Sequence, residues 1–106
     1  MATTHKKLAS GQLPSTTGSI YDPTSGKTGM VKTIILHNTH ASATETVEIY
    51  FNATTAASRL LKISLTAGET FEWSLGHMIV QLDAEVLNGK TDTATTVNYF
   101  IFGAEE

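Results

Sequence analysis

Histidines are the first residues to consider for chemistry, because imidazole is both a metal ligand and a general base. The chain has four, and His37 and His40 lie only three positions apart. In an extended strand, positions three apart face opposite sides of the sheet. Two histidines are also too few ligands for a zinc site. We therefore expect one histidine at a strand end and one in a loop, and we predict no metal and no cofactor.

The remaining polar residues show no arrangement typical of an enzyme. The chain has no cysteine, and no serine lies in a Gly-x-Ser-x-Gly turn. Thr24–Thr28 contains Gly-Lys-Thr, but Ile20 or Tyr21 stands where a phosphate-binding loop needs its first glycine. The ten acidic residues are scattered as on a solvated face, although a glycosidase pair would look equally isolated. We predict no catalytic residue and a protein that is not an enzyme.

Charge and aromatic content limit the possible partners. The net charge is −3, and no stripe of Lys and Arg is visible, so the sequence predicts no nucleic-acid partner. The only basic pair, Lys6-Lys7, is typical of a solvated tail. No apolar run approaches the length of a membrane span, so we expect no membrane insertion. A sugar could stack on exposed aromatic side chains, but aromatic residues more often form sandwich cores or interfaces; the candidates are Trp73, Tyr21, Tyr50 and Tyr99.

Short strands must position any site that this chain has. Apolar and alternating runs separated by turn signals predict about eight strands, which is typical of a sandwich or small barrel. No segment keeps a helical period for three turns, and a short helical turn at 53–60 is the runner-up there. The predicted fold is an all-β antiparallel β-sandwich, jelly-roll-like or Ig-like. The predicted strands are 19–21, 30–38, 45–52, 59–65, 70–74, 78–82, a weak hairpin at 84–93 around Asn88-Gly89, and 96–102.

Two segments divide the chain. Residues 1–17 are polar and predict an extended N-terminal arm that contributes little to the core, and residues 18–106 predict the β-sandwich domain. Alternation within the strands selects the expected core, which is Val31, Ile34, Leu36, Val47, Ile49, Phe51, Leu61, Ile63, Leu65, Phe71, Trp73, Ile79, Val80, Leu82, Val97, Tyr99 and Ile101.

Partner-binding residues are expected in the arm and in the last strand. Leu8, Leu13 and Pro14 are the sizeable apolar groups of the arm, and they could enter pockets on a partner that the arm pairs with as an added strand. Folding of the arm back onto its own sandwich is the alternative. The last strand is apolar on both faces, so we expect an edge strand whose second face either lies under the arm or meets a neighbouring subunit. In the second case we expect a homotrimer, with contacts through Tyr99, Phe100 and Phe102.

Four stretches of the chain resemble small β-sandwich virion proteins of tailed bacteriophages, among them head-decoration, neck and tail-associated proteins. The stretches are Leu8–Pro14 leading to Ile20-Tyr21, Lys27–Thr39, Thr46–Phe51 and Leu61–Trp73. The resemblance implies a non-enzymatic structural protein of the virion, assembled in the bacterial host cytoplasm. A capsid decoration, or cement, subunit that binds the major capsid protein is the first interpretation. A tail- or fibre-associated adhesion module for a host-surface glycan is the alternative, and tail or neck proteins are then the expected partners.

Overall fold

Eight strands form two antiparallel four-stranded sheets in the computed structural model, which describes residues 6–81 and 85–106. One turn of 3-10 helix, Ala56–Ser58, lies within the segment where a helical turn was the runner-up. The predicted all-β sandwich is confirmed. The strands are β1 (Lys6–Gln12), β2 (Gly18–Tyr21), β3 (Gly29–Asn38), β4 (Glu45–Phe51), β5 (Arg59–Leu65), β6 (Thr70–Gln81), β7 (Leu87–Thr91) and β8 (Val97–Glu105).

The strand order identifies the sandwich as a jelly roll. One sheet has the order β1-β8-β3-β6 and the other has the order β2-β7-β4-β5. Strand β1 pairs with β8, β2 with β7, β3 with β6 and β4 with β5, all antiparallel. The chain is thus one long antiparallel ribbon, folded so that successive parts of it enter opposite sheets. This order selects the jelly roll over the Ig-like arrangement.

Alternation along the strands directs one face of each sheet into the core. In the β1-β8-β3-β6 sheet, Ala9, Ile101, Ile34 and Trp73 form one inward row across the four strands. Nine of the predicted core residues are buried, and five more are half-buried against them. The buried nine are Val31, Ile34, Leu36, Val47, Ile49, Leu65, Val97, Tyr99 and Ile101, and the half-buried five are Phe51, Leu61, Ile63, Phe71 and Trp73.

Some core residues lie outside that prediction, and some predicted ones cannot be assessed. Leu13, Ile20, Tyr21 and Leu87 are buried core residues that alternation did not select. Leu82 and the side chains of Ile79 and Val80 lie outside the described residues. No helix in the described part of the chain is long and apolar enough to cross a membrane.

The N-terminal segment corrects the prediction of an arm outside the core. Residues 6–12 form β1, which is hydrogen-bonded to β8, and Leu13 is fully buried. The Leu13 N–H donates to the Val97 carbonyl at 2.9 Å, and its carbonyl accepts from Thr95 at 3.3 Å. The described part of the segment therefore belongs to the sandwich, which is the alternative that the sequence left open.

Two predicted turns are also wrong. A turn at 75–77 was expected to separate two strands, but β6 runs without interruption from Thr70 to Gln81. The hairpin dipeptide Asn88-Gly89 lies inside β7 and is paired on both sides, with β2 and with β4. At Asn88-Gly89 the local turn signal is overridden because β7 is hydrogen-bonded on both sides. The predicted turn at 75–77 falls where β6 shifts register against β3, between the pairs Ser74–Thr33 and Ile79–Val31, and the strand continues beyond the shift.

Candidate docking surface

The outer face of the β1-β8-β3-β6 sheet carries Phe100, one of the two large apolar side chains that are exposed among the described residues; the other is Leu60 on β5. Register places its side chains in three rows across the strands. The first row is polar and internally bonded: Gln12 donates to Asn98 at 3.1 Å, and the His37 ring lies 2.8 Å from the Thr70 hydroxyl. A polar row at this end of the face leaves the other two rows to carry any docking contact.

The middle row has a phenylalanine at its centre. Phe100 is 37% exposed, with Ser10 on one side, Ile35 on the other and Glu72 beyond Ile35. Ile35 is half-buried, while Ser10 and Glu72 are exposed. Strand β1 pairs beside β8 in the plane of the sheet, so it does not cover this row. An exposed aromatic ring in the middle of a sheet face is a suitable anchor for a protein partner.

Two β-bulges shape the third row, in which Phe102 lies between Lys7 and Thr33. The pairing of β1 with β8 shifts register between Lys7 and Ala9. The pairing of β3 with β8 shifts between Val31 and Thr33, on the other side of the same part of β8. A bulge adds one residue to a strand and redirects its side chains. The paired bulges lie around a pocket of about 280 Å³ lined by Lys6, Lys7, Lys32, Thr33, Phe102 and Gly103.

Gly103 makes the close strand contact under this pocket possible. A Cβ atom at this position would overlap the carbonyl oxygen of Met30 on β3. The overlapping atoms belong to the main chain of β3, so a change of side-chain rotamer cannot relieve the overlap. The glycine therefore fixes the approach of β8 to the bulged strand β3.

Glu105 interacts electrostatically with Lys6, one of the lysines that line the pocket. Burial raises the pKa of Glu105, but hydrogen bonds from Tyr21, at 2.8 Å, and Thr24, with the nearby charge of Lys6, lower it below its usual value. Burial and the same hydrogen bond raise the pKa of Tyr21 far above its usual value. Lys6 is thus partly compensated, while no described salt bridge involves Lys7 or Lys32.

On the outer face of the other sheet, Glu48 is paired with two cations. Glu48 accepts from the Tyr50 hydroxyl at 2.7 Å and from Arg59 at 3.1 Å, and Lys90 lies 3.7 Å away. The hydrogen bond from Tyr50 leads the causes that lower the pKa of Glu48. This cluster ties β4 to both of its neighbours, β5 and β7, so its groups are already used within the fold.

A buried carboxylate organises the loop between β7 and β8. Glu45 is 2% exposed, and its Oε1 accepts from the Thr93 N–H at 2.8 Å, the Thr96 hydroxyl at 3.0 Å and the Thr91 hydroxyl at 3.2 Å. Burial raises the pKa of Glu45, but these hydrogen bonds outweigh burial and hold the pKa below its usual value. The residue is structural: its donors are Thr91, the last residue of β7, and Thr93 and Thr96 in the loop that it fixes.

The histidines of the central strand and its loop do not form a metal site. His37 is on the outer face, whereas the Nδ1 of His40 accepts backbone N–H bonds from Ser42 and Ala43 at 3.3 and 3.1 Å. The described residues contain no group of three or more potential metal ligands. His40 closes its own loop, and the fully buried Asn38 ties that loop to the end of β5 through the Leu65 carbonyl, at 2.9 Å.

The predicted partner-binding residues separate into accessible and inaccessible sets. Leu13 is in the core, and Leu8 is half-buried against it, so neither is free to enter a pocket on a partner. Pro14 is half-buried, and its carbonyl accepts from Thr91 at 2.9 Å. These residues hold the segment to its own fold.

Of the residues of β8 that were predicted to bind a partner, only Phe100 and Phe102 are on the outer face of the sheet. The strand lies between β1 and β3, so it is not an edge strand: pairing with the N-terminal segment removes that edge. Tyr99 faces the core and is 9% exposed, while Phe100 and Phe102 face outward. The other aromatic candidates for sugar stacking are little exposed: Tyr21 is in the core, Trp73 packs against it, and Tyr50, on the outer face of the other sheet, is 5% exposed.

Sequence reasoning missed the lysines of the pocket. Lys32 is remote in sequence from the Lys6-Lys7 pair, and β8 is the strand that joins them in space. The solvated-tail interpretation of the pair could have been revised only if residues 6–12 had been recognised as a strand.

A comparison with protein-family models found no match, and a comparison with curated proteins found no significant relative.

Proposed function

We propose that this protein is a non-enzymatic structural subunit of a bacteriophage particle that decorates the head and docks through the outer face of its β1-β8-β3-β6 sheet. The observation that carries the docking face is Phe100, which is 37% exposed at the centre of that sheet. Interfaces are anchored by aromatic residues surrounded by a polar rim, and this face has both. On the opposite outer face, Glu48 is already paired with Arg59 and Lys90 within the fold, so that cluster is less available to a partner.

The location on a virion is supported by two arguments from similarity. Four stretches of the sequence resemble small virion proteins of tailed phages, and the jelly roll is a fold of viral capsid domains. The same fold also carries lectin domains, so the fold alone does not decide the function. Burial of the candidate stacking residues favours decoration over glycan binding.

The composition of purified particles tests this proposal. Particles of the phage that encodes the chain should contain hundreds of copies, counted by quantitative mass spectrometry against the major capsid protein. A few copies per particle would assign the protein to the tail or neck and not to the head. Absence of the chain from particles purified at low and high salt would overturn the virion proposal.

We also propose that the protein is a homotrimer on the particle, in which each subunit contributes one docking face to the head. Contacts between subunits are the alternative use of the same face. Sedimentation of the free protein, with a Phe100→Ser variant beside it, separates the two uses of the face. A free trimer that Phe100→Ser dissociates would assign Phe100 to contacts between subunits and would overturn its role as the head-binding anchor.

A further inference from the structure

A cationic pocket adjoins the apolar centre of the docking face. Its volume is about 280 Å³, and it is lined by three lysines together with Thr33, Phe102 and Gly103. Three of the seven basic residues therefore line one pocket, in a protein whose net charge is −3. A concentration of positive charge against the overall sign of a protein attracts anionic groups selectively to that place.

The backbone holds this pocket in place. Lys7 precedes the register shift of β1, and Lys32 lies within that of β3, so both lysines are positioned by bulges on either side of Phe102 and Gly103. Bulges occur next to binding sites, where they redirect a side chain that regular pairing would place elsewhere. Here two bulges act on the same pocket from neighbouring strands. The lysines thus converge through the sheet itself.

We propose that this pocket binds a carboxylate side chain from an acidic segment of the partner protein that occupies the docking face. This inference rests on the proposed function for the existence of that partner. Charge complementarity identifies the anion, and the ring of Phe102 in the pocket, one outward row from Phe100, favours a mixed acidic and apolar peptide surface. An extended polyanion such as nucleic acid fits less well because Glu72 is exposed on the same face.

The acidic tail of this chain does not fit the role. Glu106 exchanges two backbone hydrogen bonds with Thr28, at 2.8 and 3.0 Å, and Glu105 is bonded to Tyr21. In a second copy the Glu105 carboxylate would have to leave Tyr21, and the exposed Glu106 is then a single carboxylate rather than an acidic segment. The occupant is therefore expected to come from a different protein.

Fluorescence anisotropy with a labelled hexaglutamate peptide tests the site on the intact protein. The test variant is Lys7→Gln/Lys32→Gln, which leaves Lys6 with its nearby carboxylate Glu105. The control variant is Lys27→Gln/Lys62→Gln, which removes the same charge from exposed positions outside the pocket. We expect the test variant to weaken binding roughly tenfold and the control less than about twofold. Circular dichroism melting curves establish that both variants fold.

Three results would overturn the proposal. Equal weakening by the two double variants would mean that bulk charge attracts the peptide. Failure of the wild-type protein to bind the peptide at low salt would mean that the pocket takes no carboxylate. A hexathymidylate or inorganic phosphate that binds more tightly than the peptide, with the same dependence on Lys7 and Lys32, would assign the pocket to phosphate. None of these results bears on the presence of the chain in particles, so the two proposals fail separately.

Discussion

Glu45→Gln removes one buried charge and keeps the shape of the side chain. In the wild type, Oε1 accepts hydrogen bonds from Thr91, Thr93 and Thr96 within 3.2 Å. Hydrogen bonds to a charged acceptor are about twice as strong as neutral ones, so each weakens by about 1 kcal/mol. Burying a neutral amide costs less than burying a carboxylate, which returns about 1 kcal/mol. We expect a net loss of about 2 kcal/mol, or about 10 °C in Tm.

The same substitution should change the pH dependence of stability. The pKa of Glu45 lies below its usual value of 4.5 in the folded protein, so the unfolded chain takes up the proton first as the pH falls. The contribution of the carboxylate is therefore complete above pH 4.5 and is lost as the pH falls through the lower, folded pKa. The glutamine does not titrate, so the difference in stability between wild type and variant should shrink in acid.

Urea unfolding followed by the fluorescence of Trp73, the single tryptophan, measures both effects. Glu72→Gln is the matched control because it makes the same change at an exposed position on the sheet, and it should shift the unfolding free energy by less than about 0.5 kcal/mol. An equally small effect of Glu45→Gln would refute the reasoning. So would a loss of stability that stays constant from neutral to acidic pH.

Three further substitutions test the fold by thermal or urea unfolding. Leu13→Ala should lower the free energy of unfolding by about 3 kcal/mol because the side chain is fully buried. A loss below about 1 kcal/mol would support the original prediction that residues 1–17 contribute little to the core. Gly103→Ala should cost more than about 3 kcal/mol, because its Cβ would overlap the backbone of β3, while Gly18→Ala, with its nearest atom at 3.5 Å, should cost under about 1 kcal/mol. Thr95→Gly should raise the free energy of unfolding by about 1 kcal/mol, because a β-branched residue at φ 64° is strained and glycine is not. Unchanged or lower stability would show that Thr95 is not strained.

The sequence predicts the central strands because one face of each is buried. Alternating residues such as Val47 and Ile49 need only the period of a strand to be assigned to the core. Leu13 could not be assigned in this way, because it lies in no alternating apolar run and its burial depends on distant elements: its methyl group lies 3.1 Å from the position of a Cβ at Gly89.

Long-range pairing also explains the errors at turns and at the candidate site. The predicted break between strands 70–74 and 78–82 falls at the register shift of β6 against β3, and pairing with β3 on both sides of that shift keeps the two segments in one strand. Phe100 and Phe102 were found from the apolar outer face of the last strand. Lys7 and Lys32 were missed because neither lies in an apolar pattern, and only the order β1-β8-β3 brings them together.

Affinity for particles that lack this chain tests the docking face most directly. Phe100→Ser and Leu60→Ser are matched, since the two side chains are 37% and 41% exposed and lie on different sheets. The account predicts that Phe100→Ser weakens binding roughly thirtyfold, as expected for loss of a central aromatic anchor, and that Leu60→Ser changes it less than about twofold. Wild-type binding by a folded Phe100→Ser variant would contradict the assignment of this face.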